Sequence, residues 1–162
     1  MSGGNAPEFN VSTPGMKVAI VASQWHETVM NALIAGATSA CEIAGATTEL
    51  VRVPGAFELP LGVQRVARLA KVEAIVALGV VIRGGTPHFE YVCSAATQGL
   101  LQVSLHEGIP VGFGLLTVEN EQQAFDRCGL PDSPENKGEE AAQAALVMAL
   151  QSQPRDQSVG FR

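Results

Sequence analysis

A chain of 162 residues, 46% hydrophobic and 16% charged, is long enough for one domain with a sizeable core. Its formal net charge of −6 argues against nucleic acid and anionic membranes as general partners. No apolar run reaches the about 18 residues that a membrane span needs, and the start of the chain lacks the apolar core of a signal segment.

Residues 1–15 contain Gly and Pro without periodicity and read as a flexible arm. Residues 17–22 (KVAIVA) form a short β-branched run, hence a buried strand. Residues 25–44 have helical spacing through Val29, Leu33, Ala37 and Cys41, and Gly45 stops them. Thr47 to Val53 reads as a second strand, broken by Pro54-Gly55. Residues 57–70 are amphipathic, with Leu61 and Val66 inward and Arg65, Arg68 and Lys71 outward. Residues 73–82 (EAIVALGVVI) are the most hydrophobic strand candidate and the expected centre of a sheet. After the turn at residues 83–88, helical periodicity resumes through Phe89, Val92, Cys93, Ala96, Leu100 and Val103 until Gly108. Val111 to Val118 is a fourth strand. Asn120 opens a short helix with Gln123 as capping-box partner. A last helix is expected over residues 134–150, with Ser133 as N-cap and Pro134 at its first position. Residues 152–162 read as a tail.

Strands alternating with helices of this length imply parallel pairing with right-handed crossovers. The expected fold is a three-layer, flavodoxin-like α/β domain over residues 16–151. It has a four-stranded parallel sheet with helices on both faces. From Ala141 to Leu150 every residue but Gln143 is apolar. A helix apolar nearly all round needs cover on more than one side, which suggests a face against another subunit. An isolated Ala-rich helix of high propensity is the alternative. Cys41, Cys93 and Cys128 are odd in number and far apart in apolar or helical surroundings, which reads as buried free thiols and a cytoplasmic location.

Open α/β sheets bind ligands outside the carboxyl ends of their strands. Those ends hold His26, the only Trp (Trp25), Glu58, and the run Arg83-Gly84-Gly85-Thr86-Pro87-His88. Gly84 and Gly85 permit close backbone approach, Thr86 suits an N-cap and Pro87 a first helical position. A helix N-terminus there is either a phosphate site or an ordinary strand-to-helix loop. His88, in the first turn, is a proton donor and acceptor or a surface histidine. Trp25 and Phe57 either stack on a planar ring or fill the core. Glu58, in the apolar stretch PGAFELPLG, needs a partner such as a ligand hydroxyl or a cation. Lys137 falls in the first turn of a helix, where a nearby anion would compensate its charge.

Sharper motifs are missing. Gly112-Phe113-Gly114 lacks a third glycine and lies within a strand, and His26-Glu27 has no second histidine four residues on. The histidines are too scattered in sequence to suggest a metal site. Residue chemistry alone gives a proton-transferring enzyme acting on an anionic substrate.

The run from Ala77 to Val92 (ALGVVIRGGTPHFEYV) resembles the lumazine synthase family. So do Pro54-Gly55-Ala56-Phe57-Glu58-Leu59-Pro60, Gly114-Leu115-Leu116-Thr117, Gln123-Ala124 with Arg127, and Asn136-Lys137-Gly138. The resemblance implies condensation of two small molecules, 5-amino-6-(D-ribitylamino)uracil and 3,4-dihydroxy-2-butanone 4-phosphate. The products are 6,7-dimethyl-8-ribityllumazine, phosphate and water, and the resemblance implies that no metal or organic cofactor is used. By motif, Trp25 would stack on the pyrimidine, and Ala56, Phe57 and Glu58 would hold that substrate, Glu58 at its ribityl hydroxyls. Val80, Val81 and Ile82 would meet the ring edge through backbone. Gly85, Thr86 and Arg127 would bind phosphate, and His88 would move protons. Phe113 would come from a neighbouring subunit, and Lys137 would sit near the same pocket. Trp25 stands where many members carry Phe, which alters stacking and bears on flavin binding. The stretch from Cys128 to Asn136 is longer than in shell-forming members and contains Pro131 and Pro134, which implies a homo-oligomer that stops at the pentamer. A non-catalytic flavin- or pterin-binding module and an inactive shell protein are the competing readings, since fold alone does not settle function.

Overall fold

The computed structural model describes residues 9–152; the expected arm over residues 1–8 and tail over residues 153–162 lie outside the described residues. Within them, Thr13 is buried and donates its backbone N–H to the Ala44 carbonyl at 2.7 Å. Four strands form one parallel sheet: β1 (Lys17–Ser23), β2 (Thr47–Val53), β3 (Ala74–Ile82) and β4 (Val111–Val118), in spatial order β2-β1-β3-β4. The helices are α1 (Glu27–Ile43), α2 (Leu59–Leu69), α3 (His88–Glu107), the short α4 (Glu121–Phe125) and α5 (Lys137–Gln151). This is the three-layer architecture expected from the alternating pattern.

Period-2 alternation divides the core. Val18, Ile20, Ala22, Val76 and Leu78 face α1 and α5, and Ala19, Val21, Ile75 and Ala77 face α2 and α3. Both faces are covered, so β1 and β3 read as continuous apolar runs. At the edge, β2 is mostly exposed. Burial pushes the Cys41 thiol up to about 11, with Glu42 adding to the effect, so this group is an inert core filler.

Several expectations are corrected. Residues 57–70 do not form one helix. A single turn of 3₁₀ helix (Ala56–Glu58) precedes α2 and shifts its phase, so Leu59, Val63 and Val66 point inward while Leu61 is exposed. The last helix does not start at Pro134. The Ser133 hydroxyl is used inside its own loop, accepting from the Leu130 N–H at 3.0 Å and donating to the Phe125 carbonyl. The Glu135 N–H is likewise committed, to the Asp126 carbonyl at 3.1 Å. The helix begins after Asn136, whose side chain accepts the Glu139 N–H at 3.1 Å. At the short α4 the expectation holds in part: Asn120 accepts from the Gln123 N–H, but the Gln123 side chain reaches back to the Glu119 N–H.

The apolar girth of α5 is also explained within the chain. Ala141, Ala142, Ala145, Leu146 and Ala149 are buried against α1 and the sheet, leaving Met148 and Leu150 outside. The approach is backbone to backbone: a Cβ at Gly138 would collide with the Leu33 carbonyl, and one at Gly112 with the Ala141 carbonyl. Both partners are main chain and cannot swing aside. Gly138→Ala and Gly112→Ala should each therefore destabilise the domain by roughly 1–3 kcal/mol. Gly84→Ala, which meets nothing within 4 Å, should stay within about 0.5 kcal/mol of the parent. Urea midpoints at constant m-value measure all three.

Candidate active site

In register, β1 pairs with β3 only from Val18↔Ala74 to Ala22↔Leu78, whereas β4 follows β3 to Ile82↔Val118. The last residues of β3, from Gly79 to Ile82, therefore overhang β1, and one backbone edge has no strand beside it. This is the point where the strand order reverses, the position at which open α/β sheets bind ligands. A cavity of about 650 Å³ opens there, within the size range of small-molecule sites.

Its walls come from four segments. Trp25 and His26 lie between β1 and α1, and Gly55, Ala56, Phe57 and Glu58 follow β2. Val80, Val81 and Ile82 end β3, and His88, Tyr91 and Val92 open α3. The α3 residues are spaced i, i+3, i+4 and so share one helix face. Trp25 is 68% exposed and Phe57 62%, so neither is core. An atom at the Cβ position of Gly55 would lie 3.1 Å from Glu58 Oε2 and 3.6 Å from Trp25 Cδ1, so carboxylate and indole converge above this glycine. Glu58 is exposed rather than buried and makes no side-chain hydrogen bond among the described residues. Its oxygens are open to a ligand.

The loop over residues 84–87 is exposed, and the Thr86 hydroxyl does not cap α3. Pro87 is the N-cap rather than the first helical residue, which puts Thr86 one position too far out to reach the first-turn amides. No side chain caps this helix of 20 residues, so the positive end of its dipole faces the loop.

Other expected site residues stand apart from the cavity. Gly85, Thr86, Arg127, Lys137 and Phe113 do not line it. Phe113, on β4, is half-exposed beside a separate hollow of about 290 Å³ shared with Thr97 and Leu101 of α3. Arg127 Nη1 donates to the Gln123 carbonyl at 3.0 Å, and its Nε lies 3.7 Å from Glu135. Lys137 sits between Glu135 and Glu140, the latter at 2.8 Å. Burial works against its charge, but the hydrogen bonds it donates to these carboxylates hold Lys137 above the usual lysine range. The compensating anion for Lys137 thus lies within the chain. A larger hollow of about 770 Å³ runs between α2 and α3, past Pro60, Leu61 and Leu105. It lies along the helices, away from the strand ends, and gathers none of this chemistry. Among the described residues, no three His, Cys, Asp or Glu side chains cluster as a metal site requires.

His26 and Gly55 belong to the strand-end segments expected to meet a ligand, whereas Tyr91 and Val92 are added by the structure. Tyr91 and Val92 were readable as the i+3 and i+4 neighbours of His88. The placement of His26 follows from a left-handed backbone (φ 60°), the only positive φ outside glycine among the described residues.

A family model for 6,7-dimethyl-8-ribityllumazine synthase matches residues 15–153. Proteins named 6,7-dimethyl-8-ribityllumazine synthase are similar along most of the chain. That of Kineococcus radiotolerans is 59% identical over 154 residues, covering 93% of this chain and 94% of the relative. That of Clavibacter sepedonicus is 56% identical, covering 93% and 95%. That of Micrococcus luteus is 52% identical, covering 93% and 96%.

A left-handed backbone costs a non-glycine residue about 1 kcal/mol or more, and Asn tolerates it best. His26 also makes no side-chain cap at α1. His26→Asn should therefore raise the denaturation midpoint, by up to about 1 kcal/mol in free energy, with the m-value unchanged. A lower midpoint would show that the imidazole itself stabilises the turn.

Proposed function

The chain belongs to the 6,7-dimethyl-8-ribityllumazine synthase family, and we propose that the strand-end cavity is where it carries out the family's reaction. The protein is a transferase enzyme of riboflavin biosynthesis. It condenses 5-amino-6-(D-ribitylamino)uracil with 3,4-dihydroxy-2-butanone 4-phosphate to 6,7-dimethyl-8-ribityllumazine, phosphate and water.

One observation carries the assignment of the site: the unpaired edge of β3 lies in the same cavity as Trp25, Glu58 and His88. A pyrimidinedione is planar, with alternating donors and acceptors on its rim. The backbone of residues 80–82 supplies the complementary N–H and C=O groups, and Trp25 supplies a face to stack on. An exposed indole on a cavity wall is explained by such a ligand. Glu58, with free acceptor oxygens, suits the ribityl hydroxyls, with Ala56 and Phe57 closing that side.

The second substrate brings a dianion. The loop amides at Gly85 and Thr86, the positive end of α3 and the guanidinium of Arg127 form the phosphate-binding set. With both substrates held, the ring amine attacks the butanone carbonyl and water leaves to give an imine; loss of the C3 proton expels phosphate from C4, the resulting enol becomes a new carbonyl at C3, and the ribityl-bearing nitrogen attacks it, closing the second ring with loss of a second water. Holding the reactants in attack geometry supplies much of the rate. His88, beside the reacting atoms, accepts and returns the protons these steps move, typically a further factor of about 10²–10⁴. No cofactor enters this scheme.

Phe113 and Arg127 belong to the site but do not line the cavity of their own chain. That supports active sites shared between neighbouring subunits, which we assign to a homopentamer. Leu61, Leu101, Leu105 and Phe113, exposed on the α2, α3 and β4 side, support it too. All three cysteines are free, which supports a reducing compartment, the cytoplasm.

His88→Ala should slow turnover by about 10²–10⁴ while pyrimidine affinity stays nearly intact. Arg127→Ala should raise KM for the phosphate substrate by about 10-fold to 100-fold, the loss of a charged hydrogen bond. Both are read by lumazine fluorescence, and parental kinetics in both variants would refute the assignments. Sedimentation should give a particle of pentamer mass; a megadalton shell would overturn that part.

A further inference from the structure

The segment carrying His88 and the phosphate loop has little packing of its own. Residues 83–88 are all exposed, and side chains added at Gly84 or Gly85 would meet nothing within 4 Å. No side chain caps α3 where the loop enters it. Two adjacent glycines leave such a loop conformationally free. Yet the chemistry needs its amides and the imidazole held to within fractions of an ångström.

Arg83 is the residue that reaches across. Its backbone N–H donates to the Val118 carbonyl at 2.9 Å, extending the β3–β4 ladder. Its side chain then turns back over the loop. Nε donates to Glu119 Oε2 at 2.6 Å, just past β4, and Nη1 donates to Glu90 in the first turn of α3. The guanidinium carbon lies 4.2 Å above the Phe89 ring. One planar group therefore ties the end of β4 to the two residues directly after His88. Only a rigid fork with several donors makes these contacts together, which distinguishes arginine from lysine.

We propose that Arg83 is a positioning residue for the reaction: its guanidinium pins the two-glycine loop and the first turn of α3 to the end of β4, and so fixes where His88 and the loop amides stand. This rests on the reading of the cavity given above. Two carboxylates already occupy the fork, so Arg83 anchors the cradle rather than serving as a phosphate ligand. Glu90 and Glu119 hold the guanidinium above the usual arginine range, and Arg83 holds the Glu90 carboxyl below the usual carboxylate range. The anchor therefore stays ionised at neutral pH. Exposed ion pairs add little to global stability. Loss of this one should leave the fold standing and misplace the catalytic group.

The test compares Arg83→Met, Arg83→Lys, Glu119→Gln and His88→Ala by steady-state kinetics, with thermal melts on each. Arg83→Met should lower kcat about 10-fold to 100-fold and raise KM for the phosphate substrate. KM for the pyrimidine and the melting temperature should stay close to parental values. Arg83→Lys should recover part of the loss, and Glu119→Gln should show a smaller loss of the same kind. Because Arg83 acts through His88, Arg83→Met combined with His88→Ala should have a kcat no lower than His88→Ala alone. Parental kinetics in Arg83→Met beside an impaired His88→Ala would overturn the inference and leave the cavity assignment standing. So would a kcat loss that adds fully to that of His88→Ala, or one that only tracks the fraction unfolded. Parental turnover in His88→Ala would overturn the cavity assignment, and this inference with it.

Discussion

Strand β3 runs past β1 at the carboxyl end of the sheet, and the hydrogen-bonding groups it leaves over govern what the rest of the molecule does. Through Leu78 its backbone is paired on both sides; from Gly79 to Ile82 only β4 remains beside it. Peptide groups left without a strand in a partly apolar crevice call for partners. A flat ring with polar atoms on its rim meets that need more fully than scattered waters. The same strand end also launches α3. The unpaired edge and the positive end of a long helix dipole are thus neighbours by topology, before any side chain is considered.

The opposite side of the sheet explains how Arg127 is held. Helix α5 lies against α1 and β4 with glycine at the closest points, so its position is fixed by main-chain contact. The loop before it closes through the Cys128↔Asn136 bridge, and the Lys137 N–H donates to the Arg127 carbonyl at 2.9 Å. Asn136 caps the helix and also fills the space over Gly36 and Gly129. Packing of a helix remote from the cavity thereby sets the backbone from which the Arg127 guanidinium, proposed as a phosphate ligand, projects.

How much of this was legible in the sequence depends on which physics set each feature. KVAIVA and EAIVALGVVI announced themselves because burial on both faces leaves no polar position. The strand-end residues followed from topology, since Trp25, Glu58 and His88 each sit just past a strand. The start of α5 differs because Ser133-Pro134 is a genuine N-cap pattern whose hydroxyl is committed to the Leu130 N–H and the Phe125 carbonyl, so that the helix starts after Asn136 instead. Leu61 was misread because one 3₁₀ turn rotated the helix beneath it. Packing between the sheet and α1 accounts for the buried residues of α5, while Met148 and Leu150 stay exposed, a division that periodicity alone does not reveal. The left-handed turn at His26 has no signature in residue type.

The two halves of the cavity are built differently, and the chemistry gives a reason. The half assigned to the pyrimidine is cut into the end of the sheet and the 3₁₀ turn, where β4 still pairs with residues 79–82 and Ala56 is buried. A planar ring is read by direction, and a displaced acceptor is a lost hydrogen bond. The half assigned to phosphate is a glycine loop in solvent, tied at its ends. A tetrahedral dianion accepts from almost any direction, so donors there need charge and nearness more than fixed angles. It must also leave as product within each turnover, which a fully enclosed cradle would hinder. An exposed loop under the proposed Arg83 anchor would meet both demands: ordered enough to present its amides and an imidazole, open enough to release a phosphate bound there.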